Sequence, residues 1–149
     1  MSLTRAQVED ILISRAGEML ATLGRDDVAS GSNPDLNDPM AWALRQLSLA
    51  VTTATSVSDD DLLAIDSDDE NQFLDLAEYR LLMTCRTVAR RLVNSSSGPR
   101  REDLSDMAKG LKEDLADMLK SLQIQYGFGI GSLEGGVFIT DSQSTFEDD

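Results

Sequence analysis

The chain has 149 residues, 27 acidic against 13 basic, no histidine and a net charge of −14, with a pI near 4.2. That balance disfavours duplex DNA read through a basic face and an anionic membrane surface. The missing histidine excludes His-dependent triads and zinc sites outright.

An apolar share of 41% is too high for a disordered chain and is enough for one domain with a tail to spare. The single cysteine, Cys85, cannot form an intrachain disulfide and implies no dependence on an oxidising compartment. No apolar run approaches the roughly 18 residues of a membrane span. The N-terminus lacks the pattern of a signal peptide. The expectation is a soluble protein made without export.

The first helix announces itself by a capping box, Thr4 with Gln7, and by Leu3 and Val8 as its hydrophobic staple. Val8, Ile11, Leu12, Ala16, Met19 and Leu23 keep one face, and Gly24 supplies a left-handed stop. Residues 25–37 read as a loop, with Pro34 barring continuation. Asp38-Pro39 is the next start, a side-chain cap followed by proline at the first helical position. The second helix takes its stripe from Met40, Leu44, Leu47, Val51 and Ala54, and ends in the Thr/Ser run of residues 52–58. Trp42 lies off that stripe, as a flank of the core or an exposed contact. Ser58 caps a short turn over residues 59–63, whose aspartates complement the helix N-terminus.

A long third helix is expected from Ser67 or Asp68 to Val93, with Phe73, Leu74, Ala77, Leu81, Leu82, Cys85, Val88, Ala89 and Leu92 inward. Residues 94–99 break it. A fourth helix over residues 101–123 carries a heptad seam of Leu104, Ala108, Leu111, Leu115, Met118 and Leu122. The fold class is all-α: a bundle of about four helices over residues 1–125, followed by an extended arm over 126–149. Five of the ten glycines, Gly127, Gly129, Gly131, Gly135 and Gly136, fall in that arm and form a flexible hinge. Tyr126, Phe128, Ile130, Val137, Phe138, Ile139 and Thr140 are its docking residues. Val137 to Thr140 are good strand formers, suited to adding a short strand to another surface. The competing expectation is a strap folded back on its own bundle.

Enzymatic and metal signals are weak. Asp66, Asp68 and Glu70 resemble the start of a calcium loop, but Asn71 stands where glycine is needed and Ala77 where the bidentate carboxylate belongs. Gly127, Gly129 and Gly131 have the composition of a phosphate loop without its lysine or its strand-to-helix setting. Cys85 has apolar neighbours on its face and reads as a buried small hydrophobe. The chain is therefore read as a non-enzyme without cofactor or metal.

Charge placement says more. Residues 59–79 hold nine acids and no Lys or Arg, while residues 80–101 hold six arginines and no acid. The plain account is stabilisation of the third helix along its macrodipole. The other is a head-to-tail subunit interface, with Asp59, Asp60, Asp61, Asp68, Asp69 and Glu70 facing Arg86, Arg90, Arg91, Arg100 and Arg101 of the next copy. Arginine outnumbers lysine ten to three, and arginine is favoured at interfaces.

The order of features has a parallel. LDLAEYRLL (Leu74 to Leu82) leads to GPRREDLSDMA (Gly98 to Ala108), a heptad helix, and then IQYGFGIGSLEGGVFIT (Ile124 to Thr140). Together these resemble the small helical head-to-tail connector, or adaptor, proteins of tailed bacteriophages. The resemblance covers roughly the second half of the chain and is a pattern of features. It implies a structural virion protein at the head–tail interface, made in the host cytoplasm, that forms a twelve-fold ring below the portal protein. The implied partners are the portal and a tail or stopper protein, with DNA passing through the channel unread. The alternative is an acidic cytoplasmic regulatory module, a DNA mimic or partner-binding bundle.

Overall fold

The computed structural model describes residues 3–51 and 56–126. Among them the regular structure is helical: α1 (Arg5–Thr22), α2 (Asn37–Gln46), α3 (Asp59–Leu62), α4 (Glu70–Ser95) and α5 (Gly98–Tyr126), with 3-10 turns at Pro34–Leu36 and Ser67–Asp69. The all-α class follows. By contact density the chain divides inside α5, into one compact unit ending at Glu113 and another beginning at Asp114.

The start of α1 is the capping box the sequence encodes. Gln7 N donates to Thr4 Oγ1 at 3.2 Å, and Thr4 N donates to Gln7 Oε1 at 2.9 Å. Gly24 ends the helix at φ 74°. Around it Gly24 N bonds Ala21 O at 3.1 Å and Arg25 N bonds Leu20 O at 2.8 Å, the paired closure of a Schellman motif. The buried face is a strict four-residue ladder, Val8, Leu12, Ala16 and Leu20, continued by Leu23. Ile11 and Met19, expected in the core, are half-buried instead. Packing against α4 selects the ladder and turns those two toward its margin.

α2 differs from the sequence reading at both ends. Its entry is set by Asn33, whose side chain accepts from Asp35 N at 2.9 Å while Pro34 takes the first position of the 3-10 turn. The cap-and-proline signal is thus real but one Asn-Pro pair earlier than Asp38-Pro39. Pro39 falls within the first turn of α2, where its missing N–H costs nothing. The helix stops at Gln46, well before the Thr/Ser run. Ser48 adopts φ 64°, and Ser48 N to Arg45 O at 3.0 Å with Leu49 N to Leu44 O at 2.9 Å close a second Schellman motif. A serine in the left-handed region is uncommon, so the sequence carries no visible stop there.

α3 opens on a second capping box, Ser58 with Asp61. α4 is the organising element of the first unit, packed on both α1 and α2. Phe73, Leu74, Ala77, Leu81, Leu82, Cys85, Val88 and Ala89 are buried as expected, joined by Leu76 and Tyr79; Leu92 is half-buried. With Leu12, Leu20, Leu36, Met40, Leu44 and Leu62 they make an aliphatic core around one fully buried ring, Phe73. α5 begins three residues before its expected start and reaches Tyr126. Of its seam, Leu104, Leu111, Leu115 and Leu122 are buried, while Ala108 and Met118 are half-buried.

Candidate functional site

The polar heart of the first unit is built on the N-terminus of α1. Arg5 and Glu9 are both buried, and Arg5 Nε donates to Glu9 Oε2 at 2.8 Å. The guanidinium also donates to Val57 O at 2.8 Å, to Asn33 O at 2.7 Å and to Asn37 Oδ1. Glu9 accepts from Gly31 N at 2.7 Å and Asn33 N at 2.9 Å. Asn33 Nδ2 donates to Asp26 O at 2.9 Å and Val28 O at 3.0 Å. The Arg5 backbone N–H, one of the orphan donors of a helix start, is met by Asp59 Oδ1 at 2.7 Å.

This network ties the 25–37 loop and the 57–59 segment to one helix turn. Every carboxylate oxygen of Glu9 is occupied from within, so its role is structural. Sequence reasoning missed it. The available signal was an Arg and a Glu four apart, with Glu9 adjacent to Val8 on the core side of α1.

Two further clusters are also structural. Arg15 Nη1 reaches Asp75 at 3.2 Å and Glu78 at 2.9 Å, linking α1 to α4. Arg80 Nε pairs with Asp38 at 2.9 Å while its guanidinium carbon lies 5.8 Å from the Trp42 ring centre. The Trp42 and Tyr79 rings are 6.2 Å apart. Trp42 is therefore a flank of the core.

Cys85 borders a cavity of about 90 Å³ with Leu20, Leu81 and Val88. Burial pushes its thiol up to about 11; Arg25 opposes this and Asp35 adds to it. A thiol so held is protonated at neutral pH and is a poor nucleophile there. Among the described residues no group of three or more His, Cys, Asp or Glu side chains is placed to hold a metal ion. None of the described helices is long and apolar enough to cross a membrane.

Among the described residues, an outward-facing site with unspent chemistry is a cavity of about 530 Å³ between the C-terminal half of α4 and the first part of α5. Arg86, Arg90, Arg91, Lys109 and Lys112 line it, with Thr87, Asn94 and Ser105 as neutral donors and no acid among the described lining residues. None of the five cations takes part in an ion pair among the described residues. Arg86 Nε is buried without a hydrogen-bond partner among them. Burial, and then neighbouring Arg90, push the Arg86 pKa down from its usual value.

The residues singled out from the sequence distribute unevenly. Arg86, Arg90 and Arg91 share the cavity; Arg100 and Arg101 are exposed outside its wall. Lys109 and Lys112, one turn apart on α5, belong to it and were missed because they lie among acids in the sequence. Asp59, Asp60 and Asp68 are exposed, and Asp69 and Glu70 half-exposed. Asp61 is buried and spent internally, its Oδ2 accepting from Ser58 N at 3.0 Å. Tyr126 is the last residue of α5 and half-buried. The arm residues Phe128, Ile130, Val137, Phe138, Ile139 and Thr140, and the hinge glycines 127, 129, 131, 135 and 136, lie outside the described residues.

Fold and site thus define an acidic protein, helical over its described residues, with a concentrated cationic cavity. No protein-family model, curated protein or solved structure matches the chain.

Proposed function

We propose that this protein is a structural head-to-tail connector of a tailed bacteriophage, a ring below the portal whose C-terminal arm docks on the portal protein. Ile124 supports the reading most directly: it is 85% exposed on the last turn of α5, where the apolar, glycine-rich segment departs. An apolar surface that begins on the helix and continues into an apolar tail is what a docking arm requires. In this reading the glycines give reach, and Val137 to Thr140 add a strand to the portal. The acidic body repels the phosphates of passing DNA, and its outer face receives a tail or stopper protein. The twelve-fold ring and the virion location come with the same resemblance.

Removing the residues after Ile124 tests it. The helical signal in circular dichroism should persist while co-sedimentation with portal-containing heads is lost. A truncated protein that still joins such heads normally would end the arm assignment. A freely diffusing protein with no ring on capsids in electron micrographs would favour the regulatory alternative.

A further inference from the structure

We infer that the cationic cavity between α4 and α5 is a socket for the acidic segment 59–70 of a second copy of this chain. The inference deepens the ring of the proposed function and rests on it only in requiring that several copies assemble.

Five cations converge on one wall with no acid among the described lining residues, in a chain whose net charge is −14. The α5 acids Glu102, Asp103, Asp106 and Glu113 are close in sequence, yet none lines the cavity. Like charges so gathered repel one another, and the buried Arg86 Nε has no acceptor among the described residues. Both deficits are met by carboxylate oxygens entering the cavity, since guanidinium groups bind carboxylates through paired, charge-assisted hydrogen bonds.

The matching carboxylates are on the same chain. Asp60, Asp66 and Asp68 are exposed, Asp69 and Glu70 partly so. None of the five takes part in an ion pair among the described residues. Asp69 occupies the N-cap of α4 without a side-chain hydrogen bond there.

A chain cannot close this contact on itself. Glu70 and Arg90 are at opposite ends of α4, and a helix rising 1.5 Å per residue separates them by about 30 Å. Knob and socket must therefore come from different copies. Two unlike patches on one chain make a heterologous, head-to-tail contact, which closes into a ring or continues as a filament.

The surface also explains a choice of ligand class. Duplex DNA would offer phosphates to the same cations, but it would approach against the field of the whole acidic body. A neighbouring copy presents its carboxylates at matched stoichiometry and fixed geometry.

The experiment uses the full chain in sedimentation velocity at low and high salt. Self-association is expected at low salt and should weaken as salt screens the contact. A socket variant, Arg90→Glu with Lys112→Glu, and a knob variant, Asp60→Asn with Asp68→Asn, alter only exposed side chains. Each alone should associate at least about tenfold more weakly than wild type. Their equimolar mixture retains one good socket and one good knob, so it should form dimers that grow no further. Wild-type protein that stays monomeric, association indifferent to both variants, or a mixture that remains monomeric each overturns the inference.

Two competing occupants have their own arms. If Glu147→Gln, Asp148→Asn and Asp149→Asn together abolish self-association, the acidic end of a neighbouring copy fills the socket and the inference fails. If the socket variant loses binding of duplex DNA or tripolyphosphate while self-association is untouched, the cavity is a phosphate site and the inference also fails. The portal assay is separate. A truncated protein that still joins portal-containing heads, with intact dimer capping, ends the connector reading and leaves this contact standing. Truncation that abolishes head binding while the socket and knob variants leave self-association unchanged keeps the connector reading and ends this inference.

Discussion

Arg5 and Glu9, one turn apart at the start of α1, form a buried ion pair at 2.8 Å whose remaining hydrogen-bonding positions are taken by two loops and by Asn37 at the start of α2. The pair is surrounded by backbone partners, so each charge is solvated by the protein itself. Removing either member leaves the other buried and uncompensated, which typically costs about 3–5 kcal/mol. Glu9→Ala and Arg5→Ala should therefore each lower the urea midpoint sharply. A double variant should cost clearly less than the two single losses added together.

Ser48 holds φ 64° to close α2. That conformation costs an L-residue about 1–2 kcal/mol, and glycine is spared it at some loss of chain entropy. Ser48→Gly should stabilise the protein by up to about 1 kcal/mol in thermal unfolding. Gly24→Ala is the mirror experiment: nothing crowds an added Cβ there, so a loss of about 1 kcal/mol would be conformational alone.

Cys85 carries a pH dependence. Its thiol moves from an ordinary 9.0 to about 11, chiefly through burial. The folded state then keeps its proton where the unfolded chain has lost it, so stability is undiminished below pH 9 and falls as pH rises toward 11. Cys85→Ala should flatten that slope in denaturant titrations. Thiol-directed reagents should label the native protein slowly at neutral pH and rapidly once it is unfolded.

Arg80 sits between Trp42 and Asp38, with the carboxylate more than half exposed. A screened ion pair and a surface cation–π contact are each worth under about 1 kcal/mol. Arg80→Met should cost no more than about 1 kcal/mol by the same reasoning. Because Trp42 is the sole tryptophan, its fluorescence should report the change directly.

The local parts of the fold were legible because their causes are local. The Thr4 capping box, the Ser58 cap, the Gly24 stop and most of the inward face of α4 depend on residues within a turn or two of one another. The end of α2 was not legible, since Ser48 is forced into a left-handed conformation by a closure no residue type advertises. The start of α2 was displaced because the helix continues directly from the 3-10 turn that Asn33 caps, with Leu36 as its own N-cap and no side-chain bond there.

The sequence by itself determined that this chain is helical, acidic, free of histidine chemistry, and divided along α4 into a negative and a positive half. Those properties follow from composition and from spacings of three and four residues. Tertiary structure alone decided which charges are spent and which remain available. It buried Arg5 and Glu9 in a closed network, consumed Asp61 in a cap, and left Arg100 and Arg101 outside the cavity. It also brought Lys109 and Lys112 beside Arg86, Arg90 and Arg91. The reason is that a charge's role depends on the partners within a few ångströms of it, and those partners are assembled from segments distant in sequence.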